Sequence, residues 1–329
     1  MRILFKLNPY LQQRQQEKPR WIFPIKLAMY ATYLRNQGHQ IVWDKVYTGF
    51  YDKVINRENQ IDIPFLQLPH ADRILTDAFN PKWQRNGNFK YLPGTYIQSA
   101  EGCVWGKCSF CVEKGKPYEV RPVEDVISEI EEIKSQGFKE VFDDSATFPF
   151  IGGTNQERTS LQSFCDKLGK LQTIFSCNMR LGIDVDFVLL KKSGFRMLLF
   201  GVESANQKTL DKIGKGVRFV DIKYIIKAAD AGLEPHIAVM FGYPWETDQD
   251  ALHTLKLVWW LLKKGYAKTA QASFYNPPDH KNNEEHRKYV NRIYEIWKSP
   301  QFWFNKIKDI KNIDDLKYLW RGIKVALNG

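Results

Sequence analysis

The sequence predicts an α/β protein built mainly from a partial (β/α)6 barrel. Between residues 94 and 277, six short apolar stretches typical of strands alternate with amphipathic stretches typical of helices. Parallel strands need a crossover between them, so this alternation favours a parallel sheet or barrel. Polar or acidic residues directly follow several of these strands, at the end where parallel barrels carry their sites. We therefore expect one site at the C-terminal ends of the strands.

The elements of the barrel follow from periodicity and from glycines that end helices. In the first helix, Val126, Ile130 and Ile133 recur at helical spacing before Gly137. The predicted strands cover residues 95–100, 140–144, 174–180, 197–204, 235–241 and 270–275. The helices between them are predicted over residues 123–136, 155–168, 185–194, 207–213, 221–231 and 248–264.

The chain divides into four predicted parts. These are a shortened Rossmann-like βαβ segment (1–60), a linker (61–93), the barrel (94–277) and a helical C-terminal extension (278–329). The first part rests on strands at 2–7 and 40–43 around a helix that begins near Pro24. The extension has helical stretches at 289–297 and 313–327 that are rich in aromatic and basic residues. Such stretches can bind nucleic acid or a membrane surface, but we expect this one to pack on the barrel as a lid.

Composition narrows the class of protein. Lys and Arg outnumber Asp and Glu, giving a net charge of 48 − 37 = +11, but the basic residues are spread along the chain. This pattern predicts a solvated basic surface; nucleic acid stays a partner class that is not favoured. The longest apolar run, 257–262, is too short to cross a bilayer, and residues 1–7 are typical of a strand rather than a signal peptide. We expect a cytoplasmic protein without a transmembrane segment.

Three of the five cysteines, Cys103, Cys108 and Cys111, fall within nine residues. Clustered thiolates select zinc, copper(I) or iron–sulfur clusters. A structural zinc site needs four ligands, and the next cysteine in the chain is distant, at Cys165. Three cysteines on a four-iron cube leave one iron open to a ligand that is not protein. Cys165 and Cys177 fall on apolar faces and are predicted to be structural.

The cysteine stretch resembles the signature of the radical S-adenosylmethionine (SAM) superfamily. That signature is Cys-x3-Cys-x2-Cys with an aromatic residue before the last cysteine, which Phe110 supplies here. The first gap has four residues in this chain, a form similar to a variant in the branch with a cobalamin-binding-type N-terminal domain. The resemblance implies a [4Fe-4S] cluster held by the three cysteines and SAM at the open iron. Cobalamin stays a cofactor that is not favoured, because the N-terminal segment is short and lacks Asp-x-His-x-x-Gly.

Further stretches resemble superfamily motifs in order, over roughly residues 60–277. They are Val141-Phe142-Asp143-Asp144, Cys177-Asn178-Met179-Arg180, Gly201-Val202-Glu203-Ser204 followed by Leu210-Asp211-Lys212-Ile213-Gly214-Lys215-Gly216, and Phe241-Gly242-Tyr243-Pro244-Trp245-Glu246-Thr247. The resemblance implies that Asp143 or Asp144 binds the SAM amino group and that Glu203 lies near its ribose or amino-acid part. As alternatives, the acidic pair could cap a helix, and Arg180 could pair with Glu203.

The remaining SAM contacts are predicted from the turn after the fifth strand and from the third strand. By resemblance, Phe241, Gly242 and Pro244 lie near the adenine, with Trp245 where the superfamily has glycine. Strand alternation puts Ser176 and Asn178 on the polar lumen face together with Arg180, where they can meet SAM or substrate.

The expected reaction is reductive cleavage of SAM to a 5′-deoxyadenosyl radical, for hydrogen abstraction or methyl transfer on an unidentified small molecule or peptide. The resemblance implies an electron donor such as flavodoxin or ferredoxin. No cysteine lies in the extension or the N-terminal segment, which argues against an auxiliary cluster and against the methylthiotransferases of tRNA. Two alternatives remain: a catalytically silent scaffold that binds a cluster, and a zinc-bound nucleic-acid module.

Overall fold

Two parallel sheets organise the computed structural model, which describes residues 1–7, 22–44, 50–84, 87–151, 155–276 and 282–328. The small sheet has three described strands and the large sheet has six. Between them the chain forms two short 3₁₀ turns, Glu58–Gln60 and Phe65–Gln67, of which the second lies in the linker.

The N-terminal sheet is built around β1, Arg2–Phe5. It pairs in parallel with β2, Gln40–Trp43, across helix α1, Ile25–Asn36, as the βαβ prediction requires. On its other side β1 pairs with β3, Lys53–Ile55, which the sequence analysis did not predict. A three-residue strand is too short for its alternation to be recognised.

The large sheet is a curled half-barrel of six parallel strands, which confirms the predicted fold class. Its strands are β4 (Gly94–Ile97), β7 (Glu140–Asp143), β8 (Ile174–Met179), β9 (Phe195–Glu203), β10 (Glu234–Phe241) and β11 (Thr269–Phe274). The helices between them are α2 (Val123–Ser135), α3 (Asn155–Leu171), α4 (Phe187–Lys192), α5 (Gln207–Lys212), α6 (Lys223–Asp230) and α7 (Asp248–Lys264). Each strand follows its neighbour in sequence, so all strand ends meet along one rim.

The first predicted strand, 95–100, is divided in the structure. After β4 the chain leaves the sheet and forms β5, Ala100–Glu101, which pairs antiparallel with β6, Glu119–Val120. The break occurs because the Ser99 N–H donates to the side chains of Asp143 and Ser145 instead of continuing the ladder. The β5–β6 pair closes the base of the loop that carries the three cysteines.

Apolar packing and a charge network fill the interior. Cys165 and Cys177 are buried in the core, as predicted. In the lower lumen, the part near the N-terminal ends of the strands, the Arg196 guanidinium donates to Glu140 Oε1 at 2.7 Å and to Glu234 Oε2 at 2.7 Å. Pairing of this kind offsets the cost of burying the charges. The network closes the barrel at the N-terminal ends of its strands.

The C-terminal extension packs on the barrel through α8 (Arg287–Arg292), α9 (Pro300–Lys308) and α10 (Ile313–Asn328). The predicted helix 289–297 is α8 followed by a 3₁₀ stretch. Helix α9 lies between the two predicted helical stretches and was not predicted; Pro300 occupies its first helical position, which proline favours. The Tyr318 hydroxyl of α10 donates to the Gly87 carbonyl at 2.9 Å, beside the lower lumen. Among the described helices, none has the length and apolarity that crossing a membrane requires.

Candidate active site at the strand ends

The cysteine loop, residues 102–118, rests on the segment that follows α5. The Ser109 N–H donates to the Ile213 carbonyl at 2.9 Å. The Trp105 indole N–H donates to the Gly214 carbonyl at 2.7 Å. These two bonds link backbone that is more than a hundred residues apart in sequence. They hold the loop against the residues that follow the end of β9.

Trp105 accounts for the four-residue gap between the first two cysteines. Its ring lies under the Arg180 guanidinium at 4.3 Å and near the Lys107 ammonium at 5.0 Å. It also covers Gly216 so closely that a Cβ there would lie 2.1 Å from the ring. Gly216 has φ +62°, a conformation that glycine adopts without strain. The longer gap is therefore anchored by an aromatic residue and does not leave the loop loose.

The three cysteines of the loop are half-buried and free of disulfides. Burial raises the pKa of Cys108, while the nearby Lys215 and Arg180 charges oppose that rise. Burial also raises the pKa of Cys111, to which the charge of Cys103 adds. These thiols therefore lie within electrostatic range of one another. No trio of Cys, His, Asp or Glu among the described residues is arranged as a site for a single metal ion.

The donor set fits a four-iron cluster, with one iron bound by each of Cys103, Cys108 and Cys111. The three thiols lie on one loop beside two cationic side chains, Lys215 and Arg180. These positive charges balance the negative charge that thiolate ligation produces. Arg180 is one of these cations: burial lowers its pKa, and the charges of Cys108 and Cys103 oppose that change.

Asp143 is fully buried at the end of β7. Its Oδ1 accepts from the Ser145 N–H at 2.9 Å and from the Ser145 hydroxyl at 2.6 Å, and its Oδ2 accepts from the Ser99 hydroxyl. Burial raises the pKa of Asp143, and these hydrogen bonds oppose the rise. Because its acceptors are already used, Asp143 joins the ends of β4 and β7 and is not free for a ligand.

Asp144, the second member of the acidic pair, is accessible to solvent, and none of the described side chains pairs with it. Its pKa is nevertheless raised to about 7, first by desolvation and then by the charges of Asp143 and Glu58. Glu58 belongs to the N-terminal segment, so that segment lies near Asp144 at the strand ends.

Glu203 ends β9 in the left-handed region, with φ +64°. The register between β9 and β10 shifts beside it, and such bulges redirect side chains near sites. Its Oε1 accepts from the Lys215 ammonium at 2.7 Å, and both side chains are largely buried. A non-glycine residue keeps this conformation only when its surroundings hold it. The predicted alternative of an Arg180–Glu203 pair is wrong: Lys215 is the partner.

The polar residues of β8 lie at different depths in the barrel. The Ser176 hydroxyl donates to Glu140 Oε1 at 3.1 Å, within the lower charge network and away from the cysteine loop. The Asn178 amide donates to the Ser145 carbonyl at 2.9 Å. Arg180 donates to the Gly216 carbonyl at 3.0 Å and stacks on Trp105. Of the three, Arg180 approaches the loop and Ser176 lies deepest.

The turn after β10 has Gly242 at φ +94°, and a Cβ there would lie 2.2 Å from the Phe274 ring. Phe241 is buried and stacks on Tyr289 of α8 at 5.8 Å, so it supports the turn from the helix side. Pro244 is exposed. Phe110 of the cysteine loop is half-buried against the core.

The extension holds this turn through a contact that the sequence analysis missed. His286 Nδ1 lies 2.9 Å from Glu246 Oε2, which also accepts from the Gly242 N–H at 2.8 Å. The Asn283 N–H donates to the Gly242 carbonyl at 2.8 Å. Three residues that support the site were not predicted as site residues: Lys215, Trp105 and His286. Lys215 stands in the Gly-Lys-Gly stretch after α5, which was the one available signal.

Replacing Asp144 with Asn tests the raised pKa. The folded protein holds the Asp144 proton up to about pH 7, whereas the unfolded chain releases it near ~3.9, so wild-type stability falls as pH rises through that window. We expect Asp144→Asn to gain in Tm over wild type from pH 5 upwards, and the gain to level off once the folded carboxyl is ionised. Thermal unfolding at several pH values measures this.

Asp230→Asn, an exposed change at the end of α6, is the control for Asp144. A difference between Asp144→Asn and wild type that follows the difference for Asp230→Asn over this pH range would contradict the raised pKa.

Comparison with known proteins identifies the family model and the relatives that this chain resembles. The family model described as "Radical SAM superfamily" matches residues 97–258. An uncharacterized methyltransferase of Pyrococcus horikoshii is 26% identical over 212 residues, 62% of this chain and 42% of that protein. A tRNA-2-methylthio-N(6)-dimethylallyladenosine synthase of a Shewanella strain is 25% identical over 214 residues, 60% of this chain and 42% of that protein. The chain thus spans about two fifths of the length of these relatives.

Solved structures are also similar in fold. Methylornithine synthase superposes with a TM-score of 0.48 at 13% identity, covering 69% of this chain and 68% of that one. The methyltransferase TsrM of Kitasatospora setae, with tryptophan and a SAM analogue bound, superposes with a TM-score of 0.47 at 18% identity, covering 59% and 37%. Residues 97–258 therefore form a radical SAM domain.

Proposed function

We propose that the protein binds a [4Fe-4S] cluster through Cys103, Cys108 and Cys111, binds SAM at the iron without a protein ligand, and cleaves SAM reductively. The main support for the proposal is that hydrogen bonds connect the cysteine loop to the residues at the strand ends. Ser109 and Trp105 bond the loop to the segment 213–214, and Lys215 of the same segment pairs with Glu203. A scaffold that only held a cluster would not need this connection.

The cluster, when reduced, supplies the electron that cleaves SAM to methionine and a 5′-deoxyadenosyl radical. The protein's own residues bind and orient the molecule and exclude water. Asp144 is the member of the acidic pair suited to the SAM ammonium group, because its carboxylate is accessible and has no described partner. A cation bound there would favour the ionised carboxylate and so lower its raised pKa. Asp143, already saturated with hydrogen bonds, positions its neighbour.

Glu203 is suited to bind a hydroxyl or an ammonium group of SAM through its second oxygen. Lys215 holds Oε1, while Oε2 has no partner among the described residues. The pairing also stabilises a buried carboxylate, because an unpaired charge in that position would destabilise the folded protein. Lys215 therefore acts as a positioning residue for Glu203, and its charge also lies near Cys108 and Cys111.

The fate of the radical is either hydrogen abstraction or methyl transfer on an unidentified small molecule or peptide. The methyltransferase names of similar proteins motivate the second outcome, and the N-terminal parallel sheet, with three described strands, keeps cobalamin open as a cofactor. The proposal includes an external one-electron donor such as flavodoxin or ferredoxin. A basic surface leaves nucleic acid as a less favoured partner.

Product analysis tests the proposal. Anaerobically reconstituted protein, supplied with SAM and dithionite, should form 5′-deoxyadenosine and methionine in equal amounts. Cys108→Ala should form neither, because one iron would lose its ligand. Cys165→Ala, which changes a buried core cysteine on α3, should retain the activity. S-adenosylhomocysteine among the products would indicate methyl transfer.

Two results would contradict the proposal. One is a fully loaded four-iron protein that yields no product from SAM. The other is a protein that takes up zinc and no iron, as the zinc alternative requires.

Replacing Trp105 with Ala should weaken the hold on the cluster, because the loop loses its bond to Gly214 and its packing on Gly216. Changes beside metal ligands typically cost 10- to 100-fold in metal affinity, so we expect iron loss to a chelator about 10-fold faster or more. Iron release followed by absorbance measures this. Trp260→Ala, an exposed site on the outer face of α7, is the control and should match wild type. Equal release rates for both variants would refute the anchoring role.

A further inference from the structure

The Tyr243 hydroxyl is a buried polar group whose hydrogen-bond partner is missing. The side chain is fully buried, and its oxygen has no partner among the described residues. A buried hydroxyl without a hydrogen bond destabilises the fold, because it loses the bond that it makes to water in the unfolded chain. Phenylalanine would fill the same space without that cost. Its presence therefore points to a partner outside the described residues.

The surroundings of Tyr243 place the hydroxyl in the strand-end site. Its ring packs between Trp245 at 5.7 Å and Tyr275 at 4.6 Å, directly after the Gly242 turn. The hydroxyl lies within electrostatic range of Glu203 and of Cys108. These two residues belong to different elements, the end of β9 and the cysteine loop. Tyr243 thus lies at the strand-end rim, near both elements.

The turn that carries Tyr243 is held firmly, so the missing partner does not result from a loose loop. Gly242 is bonded through its N–H to Glu246 and through its carbonyl to Asn283. His286 holds the same carboxylate of Glu246. Glu246 Oε1 is a second buried atom without a partner at this turn. Two polar atoms left unsatisfied at one braced turn are typical of a site that a ligand completes.

We propose that the Tyr243 hydroxyl donates a hydrogen bond to SAM bound between Cys108 and Glu203. This inference rests on the proposed function, since it takes SAM as the ligand at the open iron. Burial, with the charges of Glu203 and Glu246, raises the Tyr243 pKa well above its ordinary value. The hydroxyl therefore stays protonated and is available as a donor. Aromatic neighbours on both sides fix its direction.

The test compares two Tyr→Phe changes in the reconstituted protein, without reductant. Tyr243→Phe removes the unpartnered hydroxyl, so the SAM-free protein should be at least as stable as wild type. Its SAM dissociation constant should rise about five- to tenfold, the loss expected for one hydrogen bond. Calorimetric titration with SAM and thermal unfolding with and without SAM measure the two effects.

Tyr30→Phe is the matched control, because Tyr30 is also fully buried but its hydroxyl donates to Asp62 Oδ1 at 2.5 Å. That variant should have a lower Tm and an unchanged SAM dissociation constant. The inference is overturned if Tyr243→Phe binds SAM as wild type does, or if it destabilises the SAM-free protein as Tyr30→Phe does. Failure of the wild type itself to bind SAM would instead overturn the proposed function.

Discussion

The docking of the cysteine loop on residues 213–216 is the constraint on which the rest of the site depends. The loop has little regular structure of its own, yet Ser109 and Trp105 bond to backbone that comes directly after α5. The same segment supplies Lys215, which holds Glu203 in its left-handed conformation at the end of β9. A displacement of this segment would therefore move the thiols and the strand-end carboxylate together. Catalytic geometry has to be held within fractions of an ångström, and this coupling provides that.

The terminal segments complete the site from opposite sides of the rim. Lys26 at the start of α1 pairs with Glu101, just before the cysteine loop, and Glu58 lies near Asp144. The extension reaches the other side, where Asn283 and His286 hold the turn after β10. In the proposed function the barrel carries the residues that contact the cofactor, and the terminal segments lie beside the strand ends. Substrate specificity is therefore expected to depend mainly on those segments.

The sequence predicted those parts of the molecule that local physics determines. Helix α7 was predicted well because Thr247 and Asp250 cap it reciprocally and Gly265 ends it at φ +79°. The missed features depend on contacts between distant residues. Nothing near Glu203 in sequence identifies Lys215 rather than Arg180 as its partner, and His286 meets Glu246 across forty residues. Similarly, Ser176 has the predicted lumen orientation, but its depth below the rim depends on where Glu140 and Arg196 meet.

Electron paramagnetic resonance of the reduced, reconstituted protein with and without SAM tests the central claim most directly. That claim is that the anchored loop supplies three ligands and leaves the fourth iron accessible beside Glu203 and Asp144. The account predicts a four-iron signal whose g values shift when SAM is added, because SAM becomes a ligand of the open iron. A four-iron signal that saturating SAM leaves unchanged would contradict it.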